Sequence, residues 1–356
     1  MNKRLAIFGV VGVVLAALIY VQFRTWRAFD WHTFGEVTGS LARGRGLRHL
    51  LMAIAFIYFT YFLRSVRWKI FLRPVCRAHL GRLLPAQFIG FTGLALLGRP
   101  GELIRPYIIA RNEGLSFSSQ LAVWAVERIF DIGAFALLVS IDVFFLAERA
   151  RLPHAQQLRQ FGIVLLLLVA LMAVIAWIIS RAGGTLALWI EQRLAPSWPR
   201  FARSLAAKIR SFGEGLNTIE DPKAFLQLAG LSLAAWFCIA VAYRSVLHAY
   251  PQPELHNMHV PQVLLLMASS IVGSLIQLPA VGGGSQLAVI SMLSSREWFA
   301  IPRELAVSAG ILLWLVTFMS VIPAGLLLAR HGRLSLRKLS AESEEKKPAA
   351  PAVLPG

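Results

Sequence analysis

"LLGRPGELIRP", residues 96–106, is the stretch that decides how this chain can fold. It follows the apolar "FIGFTGLA" and precedes the apolar "YIIA", yet it holds two glycines, two prolines, two arginines and a glutamate. Pro100 and Gly101 disfavour a continuous helix through this point. Irregular backbone with charge inside so apolar a sequence predicts a segment that lines a buried polar pocket instead of facing lipid.

The composition of the whole chain is that of a membrane protein. Of its 356 residues, 57% are hydrophobic and only 15% are charged, whereas soluble proteins carry about 25% charged residues. Several apolar runs approach the roughly 20 residues that a helix needs to cross the hydrocarbon core. We therefore predict an all-α, polytopic helical membrane protein.

The apolar runs predict six full crossings and two re-entrant hairpins that are broken by glycine and proline. The first crossing follows "MNKR" and is expected to stay uncleaved, because no small-residue cleavage site follows it. The crossings are predicted at 5–23, 50–66, 119–146, 161–180, 223–248 and 304–329, and the broken hairpins at 83–111 and 261–294.

Lys and Arg in the loops set the expected orientation. The net charge of +18 is concentrated beside the apolar runs, which is the positive-inside pattern and argues against a nucleic-acid partner. It predicts the cell inner (cytoplasmic) membrane with both termini cytoplasmic. The two broken hairpins then open to opposite sides, which indicates an inverted repeat around a binding site. Chance clustering of glycines is the alternative.

We expect one transmembrane domain over residues 1–335 and a disordered cytoplasmic tail over 336–356. Residues 24–48 are predicted to form an interfacial helix. Residues 200–217 are either an amphipathic helix on the inner leaflet or an ordinary connector. Cys76 and Cys238 imply neither a disulfide framework nor a metal site, and we expect no cofactor.

A charged trio lies within the third predicted crossing, in "WAVERIFDIGAF" (124–135). Each such charge costs on the order of 2.5–3.5 kcal/mol at the centre of a membrane helix, so Glu127, Arg128 and Asp131 should face a cavity or find partners. Glu127 and Asp131 share one helix face, and Arg128 is spaced to pair with Asp131. The trio is either an ion or headgroup site or a structural ion pair that locks helix packing.

The opening stretch and the second break both have the chemistry of an anion site. A helix that begins near Gly101 carries Glu102 in its first turn and leaves backbone N–H groups free for an anion, to which Arg99 and Arg105 can add bidentate phosphate contacts. In "IQLPAVGGGSQLAVISML" (276–293) three glycines permit close backbone approach, although a flexible kink is the alternative. The residues predicted to line a pocket at this second break are Gln277, Gly282, Gly283, Gly284, Ser285 and Gln286.

A further basic group, Arg64, Arg67, Lys69 and Arg73, ends the second predicted crossing. We interpret these four side chains as anchors to the inner leaflet.

Three motifs in order, "RSVRWKIFL", "GRPGELIRPYIIARNEGLSFSSQLAVWAVERIFD" and "LPAVGGGSQLAV", resemble the transmembrane region of lysyl-phosphatidylglycerol synthases and its stand-alone, flippase-like relatives. The resemblance covers residues 5–332 and implies a helical membrane domain with re-entrant segments, which in the synthases translocates the aminoacylated lipid. Gln286 departs from the family, which often has glutamate there. The positions that the resemblance implies are functional are Arg67, Gly101, Glu102, Arg105, Glu127, Arg128 and Asp131.

These observations predict an integral membrane lipid translocator for an anionic phospholipid or a polyprenyl-phosphate-linked lipid. The expected partner is a membrane lipid with an anionic headgroup, with a homo-oligomer or a lipid-modifying enzyme as further partners. The alternatives are a membrane-embedded glycosyltransferase-like enzyme and a non-transporting scaffold. We expect no enzyme, because neither a DxD motif nor a nucleotide loop is seen, and no lysyl transfer, because the chain lacks the synthases' soluble transferase domain.

Overall fold

A computed structural model of the chain describes residues 44–145, 155–194, 198–199, 202–207, 222–275, 277–278 and 282–331, together with position 196 and a few positions between 32 and 41. The all-α prediction is confirmed over these residues. The predicted crossing 5–23, the tail 336–356, most of 24–43 and most of 200–217 lie outside the described residues.

The elements follow one another along the chain as helices, with one very short pair of strands. A 3₁₀ helix at Arg99–Leu103 and a π-helical turn at Leu315–Met319 interrupt the α-helices. The α-helices are α1 (Gly44–Leu72), α2 (Leu80–Leu97), α3 (Ile104–Glu113), α4 (Phe117–Phe145), α5 (Ala155–Leu194), α6 (Pro222–His248), α7 (Pro253–His256), α8 (Val260–Gly273), α9 (Gly284–Ser294), α10 (Arg303–Trp314) and α11 (Val321–His331), and the strands are β1 (Gln277–Leu278) and β2 (Gly282–Gly283).

Among the residues that the structure describes, four helical segments are long and apolar enough to cross a membrane: α1, α2, α6 and the combined helix Arg303–His331. Helix α1 contains the predicted crossing 50–66 but continues six residues beyond it, to Leu72. Helix α4 covers residues 119–145 of the predicted crossing 119–146, and α5 covers the predicted crossing 161–180. The chain is thus a multi-pass helical membrane protein, while six crossings in total, the re-entrant topology and the inverted repeat remain predictions.

The first broken segment forms a tight helical hairpin, residues 80–113, termed the first hairpin. Helix α2 ends at Leu97, and Gly98 adopts a φ of 69° that favours glycine. The chain then turns back, so closely that a Cβ added to Gly101 would lie 2.0 Å from the carbonyl oxygen of Gly93. The predicted helix break at Pro100 and Gly101 is therefore confirmed.

The second broken segment, residues 260–294, forms the second hairpin by the same means. Helix α8 ends at Gly273, where an added Cβ would lie 2.1 Å from the carbonyl oxygen of Gly284. Between them β1 and β2 pair antiparallel, with Gln277 opposite Gly283. In both hairpins a glycine, which has no side chain, allows the backbones of the two arms to make direct contact.

The remaining helices hold the two hairpins in place. Helix α1 packs along α6, and α4 packs against α5 and α6. The combined helix Arg303–His331 contacts both hairpins, because α10 packs against α9 and α11 packs against α2. Across the π-helical turn, the Tyr58 hydroxyl donates to the Ser320 carbonyl at 2.6 Å, and the Thr92 hydroxyl donates to that of Val321 at 3.3 Å.

Candidate functional site: a buried arginine–carboxylate cluster

Six charged side chains from three helices meet inside the helical bundle, and we term them the charged cluster. Helix α1 supplies two arginines, α3 supplies one, and α4 supplies the predicted trio. Five of the six residues are at most 6% exposed, whereas the side chain of Arg128 is 34% exposed. The members are Arg64, Arg67, Arg105, Glu127, Arg128 and Asp131.

Asp131 joins α4 to α1. Its Oδ1 accepts a hydrogen bond from Arg67 Nη1 at 2.7 Å, and its Oδ2 accepts one from Arg64 Nη1 at 3.0 Å. Arg128 Nη2 lies 3.2 Å from Asp131 Oδ2. The predicted pairing of Arg128 with Asp131 is therefore confirmed, but two arginines from another helix bind the same carboxylate.

Glu127 is the centre of the cluster, because its carboxylate lies within ion-pair distance of all four arginines. It accepts hydrogen bonds from Arg67 and from Arg105. Arg64 Nη1 and Arg128 Nη2 each lie 3.6 Å from one of its oxygens. One residue of α4 thus holds α1 and the first hairpin together.

Neutral side chains complete the surroundings of the buried arginines. Arg105 Nη1 donates to Gln87 Oε1 at 3.0 Å, and its guanidinium carbon stacks 4.5 Å from the centre of the Trp68 ring. Arg67 Nη1 also donates to the Ser232 hydroxyl at 2.7 Å, which ties α6 to the cluster. Planar guanidinium groups suit this role because they combine several fixed donors with a face that stacks on aromatic rings.

The cluster carries more positive than negative charge. Four arginines face two carboxylates, so its formal net charge is +2. Buried charges in a membrane protein are normally paired, because leaving them unpaired is costly. The excess favours an anion as an additional partner.

A small cleft, open to the surroundings, lies beside the cluster. Helix α4 contributes Trp124 and Arg128 to its lining, and the first hairpin contributes the other lining residues, including Arg105. Arg128 Nε and Trp124 Nε1 are buried and have no hydrogen-bond partner in the described part of the chain. The lining residues are Gly90, Phe91, Leu94, Glu102, Arg105, Trp124 and Arg128.

Arg99 lies outside the cluster and links the two hairpins. Its Nη1 donates to Glu102 Oε1 at 2.9 Å, and its Nη2 donates to the Ser274 carbonyl at 2.9 Å. Its side chain is 45% exposed. Glu102 lies in the first helical turn, as predicted, and Gly101 provides the backbone contact that closes the first hairpin.

The predicted residues of the second break lie apart from the cleft's lining. Ser285 and Gln286 are buried at the start of α9, where Gln286 Oε1 accepts from the Gly283 N–H at 3.4 Å. Gln277 pairs with Gly283 through the backbone, next to Gly282 and Gly284. Their role in binding stays a prediction.

The interpretation of Arg64 and Arg67 as inner-leaflet anchors is wrong. Both are buried against Glu127 and Asp131, because α1 continues past the predicted end of its crossing. Their spacing of three residues on one helix face was the available signal. Gln87 and Trp124 were also missed. Trp124 lies one helical turn before Arg128 in the charged motif, and that spacing was the available signal, whereas nothing in the sequence neighbourhood of Gln87 marks it.

The described residues contain no arrangement of side chains suited to binding a metal ion. There, no group of three or more His, Cys, Asp or Glu side chains is arranged to hold a metal ion. Cys76 and Cys238 are free thiols.

Fold and cluster together define a helical membrane protein with a polar, charged site between a broken hairpin and its neighbours. The chain belongs to the family described as the lysylphosphatidylglycerol synthase TM region, which matches residues 7–325. It is also 35% identical over 117 residues to Glycosyltransferase AglD of Haloferax volcanii, a match that covers 32% of this chain and 19% of that protein. The chain thus spans about a fifth of the length of this curated relative. No solved structure matches the chain.

Proposed function

We propose that the protein is a lipid translocator that moves an anionic phospholipid or a polyprenyl-phosphate-linked lipid between leaflets of the inner membrane. The single observation that carries this proposal is the charged cluster, whose net positive charge reaches the cleft through Arg128. Guanidinium groups are well suited to phosphate oxygens. The headgroup would enter the cleft while the acyl or prenyl chains stay in the lipid.

The two hairpins supply the moving parts in this proposal. Transporters with inverted repeats bind substrate near the membrane midplane, at discontinuous helices, and rock one repeat against the other. Here the first hairpin forms one wall of the cleft, and Arg99 connects its turn to Ser274 of the second hairpin. Family membership supports a role in lipid modification or lipid movement.

The test is leaflet exchange in liposomes that contain the purified full chain and a fluorescent anionic phospholipid. We expect exchange above that of protein-free liposomes. Leu94→Trp should lower it to near the protein-free rate, because Leu94 lines the cleft and a larger side chain fills it. Leu97→Trp is the matched control, since Leu97 ends the same helix and is exposed.

Two results would contradict the translocator. One is exchange no faster than in protein-free liposomes. The other is an equal effect of Leu94→Trp and Leu97→Trp, which would show that the cleft is not on the path.

A membrane-embedded glycosyltransferase-like enzyme is the second candidate, and the relationship to Glycosyltransferase AglD favours it. The same liposomes, supplied with a lipid-linked sugar donor and an acceptor lipid, separate the two. Formation of a glycosylated product without leaflet exchange would establish the enzyme in place of the translocator.

A further inference from the structure

Three histidines from separate helices meet at one end of the bundle, and we term them the histidine cluster: His49 of α1, His248 at the end of α6 and His256 at the end of α7. The centre of the His248 ring lies 6.2 Å from that of His49 and 5.0 Å from that of His256. We infer that this cluster is a pH switch. While its rings are neutral it holds α7 and the connection to the second hairpin, and it releases this connection when the rings take up protons.

The hydrogen bonds of the cluster suit neutral rings. His256 Nδ1 lies 2.9 Å from the carbonyl oxygen of His248 and 3.2 Å from that of Tyr250. A carbonyl can only accept, so Nδ1 carries the proton of the neutral His256 ring, and Nε2 is the nitrogen that an added proton would occupy.

The other two rings have nitrogens that a proton would leave unsatisfied. His49 Nδ1 and His248 Nε2 are buried and have no hydrogen-bond partner in the described part of the chain. In a protonated imidazole both nitrogens are donors, and a buried donor without an acceptor is costly. The closed arrangement of the cluster therefore disfavours charged rings.

The charge next to the cluster adds to this effect because it is positive. Arg244 precedes His248 by one helical turn, and the titratable or charged groups that act most strongly on His248 are Arg244, His256 and His49. Helices α1 and α6 contain no Asp or Glu, so neither supplies a counter-charge. Protons on the cluster therefore meet repulsion between like charges.

The neighbouring elements supply no buried carboxylate that would offset this repulsion. Helix α4 also packs against α6 and has a buried carboxyl at Asp142, but no charge interaction joins Asp142 to the cluster. The other charged or titratable residues at the ends of α1, α7, α8 and α10 are all exposed, and they are Arg45, Arg48, Glu254, His259, Arg303 and Glu304.

The cluster lies at the entry to the second hairpin. Residues 249–259 join α6 to α8 and include α7, and three of their side chains, Tyr250, Leu255 and Met258, pack in the same apolar core as α8. Residues 260–294 contain no ionisable side chain. A response of the second hairpin to pH therefore has to come from flanking groups, and the cluster is such a group.

The direction of the pH effect follows from these contacts. Histidine changes its charge between about pH 8 and pH 5. The closed arrangement disfavours charged rings, so it binds fewer protons than an arrangement in which α7 has moved away and the rings are in water. The closed arrangement is therefore most stable at the upper end of this range and loses stability as the pH falls.

The test is amide hydrogen exchange of the full chain in detergent at about pH 7.5 and about pH 5.5, values that bracket the titration of histidine. Labelling times are scaled for the intrinsic effect of pH on amide exchange. We expect protection over residues 249–259 to fall about tenfold at the lower pH, because a tenfold difference in the proton affinity of one histidine between the closed and open forms shifts the opening equilibrium by about that factor. Protection of α2, which contains no His, Asp or Glu, should stay the same.

Two substitutions identify the histidines as the cause. His248→Gln removes the titratable group at the centre of the cluster and keeps a polar side chain, so protection over residues 249–259 should become equal at the two pH values. His49→Gln should reduce the pH response, and it tests the cluster if His248→Gln does not fold. His79→Gln is the matched control, because His79 is exposed and lies just before α2, and it should show the wild-type response.

Three results would overturn the pH switch. They are equal protection of residues 249–259 at both pH values in the wild-type chain, a wild-type pH response in both cluster variants, and a loss of protection at low pH that is uniform along the chain. None of these measurements involves lipid movement. A failure of leaflet exchange and a failure of the pH switch are therefore distinguishable.

Discussion

The two hairpins share a backbone design but differ in charge. In each, a glycine near the end of the first helix contacts a glycine at the return, Gly93 with Gly101 and Gly273 with Gly284. Yet the first hairpin supplies Arg99, Glu102 and Arg105, whereas residues 260–294 contain no Asp, Glu, Lys, Arg or His. A close helical return therefore does not require ionic side chains, and this chain places them on the first hairpin and not on the second.

The largest expected effect comes from Glu127, which the first hairpin contacts through Arg105. The second hairpin has no charged side chain that could make such a contact. Glu127→Gln removes the carboxylate that faces four arginines and leaves a buried excess of positive charge. Breaking a buried ion pair on one side costs about 3–5 kcal/mol. We expect a large fall in the unfolding temperature of the detergent-solubilised protein, measured by scanning fluorimetry.

The double variant Glu127→Gln with Arg105→Gln is the control for this first prediction. It restores the formal net charge of +2, so it should be more stable than Glu127→Gln alone. If the double variant loses as much stability as Glu127→Gln and Arg105→Gln lose separately, added together, then Glu127 does not act by balancing the charge of the cluster.

The next effect tests the shared backbone design. Gly101→Ala and Gly273→Ala each place a Cβ within 2.1 Å of a backbone oxygen, and such overpacking costs roughly 1–3 kcal/mol or more. We expect both variants to lose stability by similar amounts in the same thermal assay. Gly81→Ala in α2 meets nothing within 4 Å and should be neutral or slightly stabilising, so an equal loss there would refute the steric explanation.

The smallest effect concerns the link between the hairpins. The Arg99 side chain is 45% exposed and contacts Glu102 and Ser274, and exposed ion pairs contribute about 0–1 kcal/mol. Arg99→Ala should hardly change the unfolding temperature, but amide hydrogen exchange should rise around Ser274. Exposed Arg77 is the control position; unchanged exchange at Ser274 in Arg99→Ala would show that the link is not maintained in solution.

Features governed by nearby residues were predictable from the sequence. The break at Pro100 and Gly101, the placement of Glu102 in the first helical turn and the pairing of Arg128 with Asp131 follow from backbone chemistry and helical spacing over a few residues. The structure has all three.

Partners that are distant in the chain were not predictable in this way. Arg67 meets Ser232 across 165 residues, and Trp68 donates to Gln120 across 52. Such contacts depend on which helix faces pack together, and one sequence does not specify that. The position of Arg64 and Arg67 was misjudged for a local reason as well, because the end of an apolar run does not mark the end of a helix.

The last helix has a mechanical consequence. Gly310 of α10 packs against Ile290 of α9, and Gly325 of α11 packs against Thr92 of α2. The combined helix Arg303–His331 therefore contacts the second hairpin near its start and the first hairpin near its end. The π-helical turn between α10 and α11 sets the rotation of one contact face relative to the other about the helix axis. Removing one residue there would rotate the contact with the first hairpin by about 100°, so the length of this turn determines which face of α11 packs against α2.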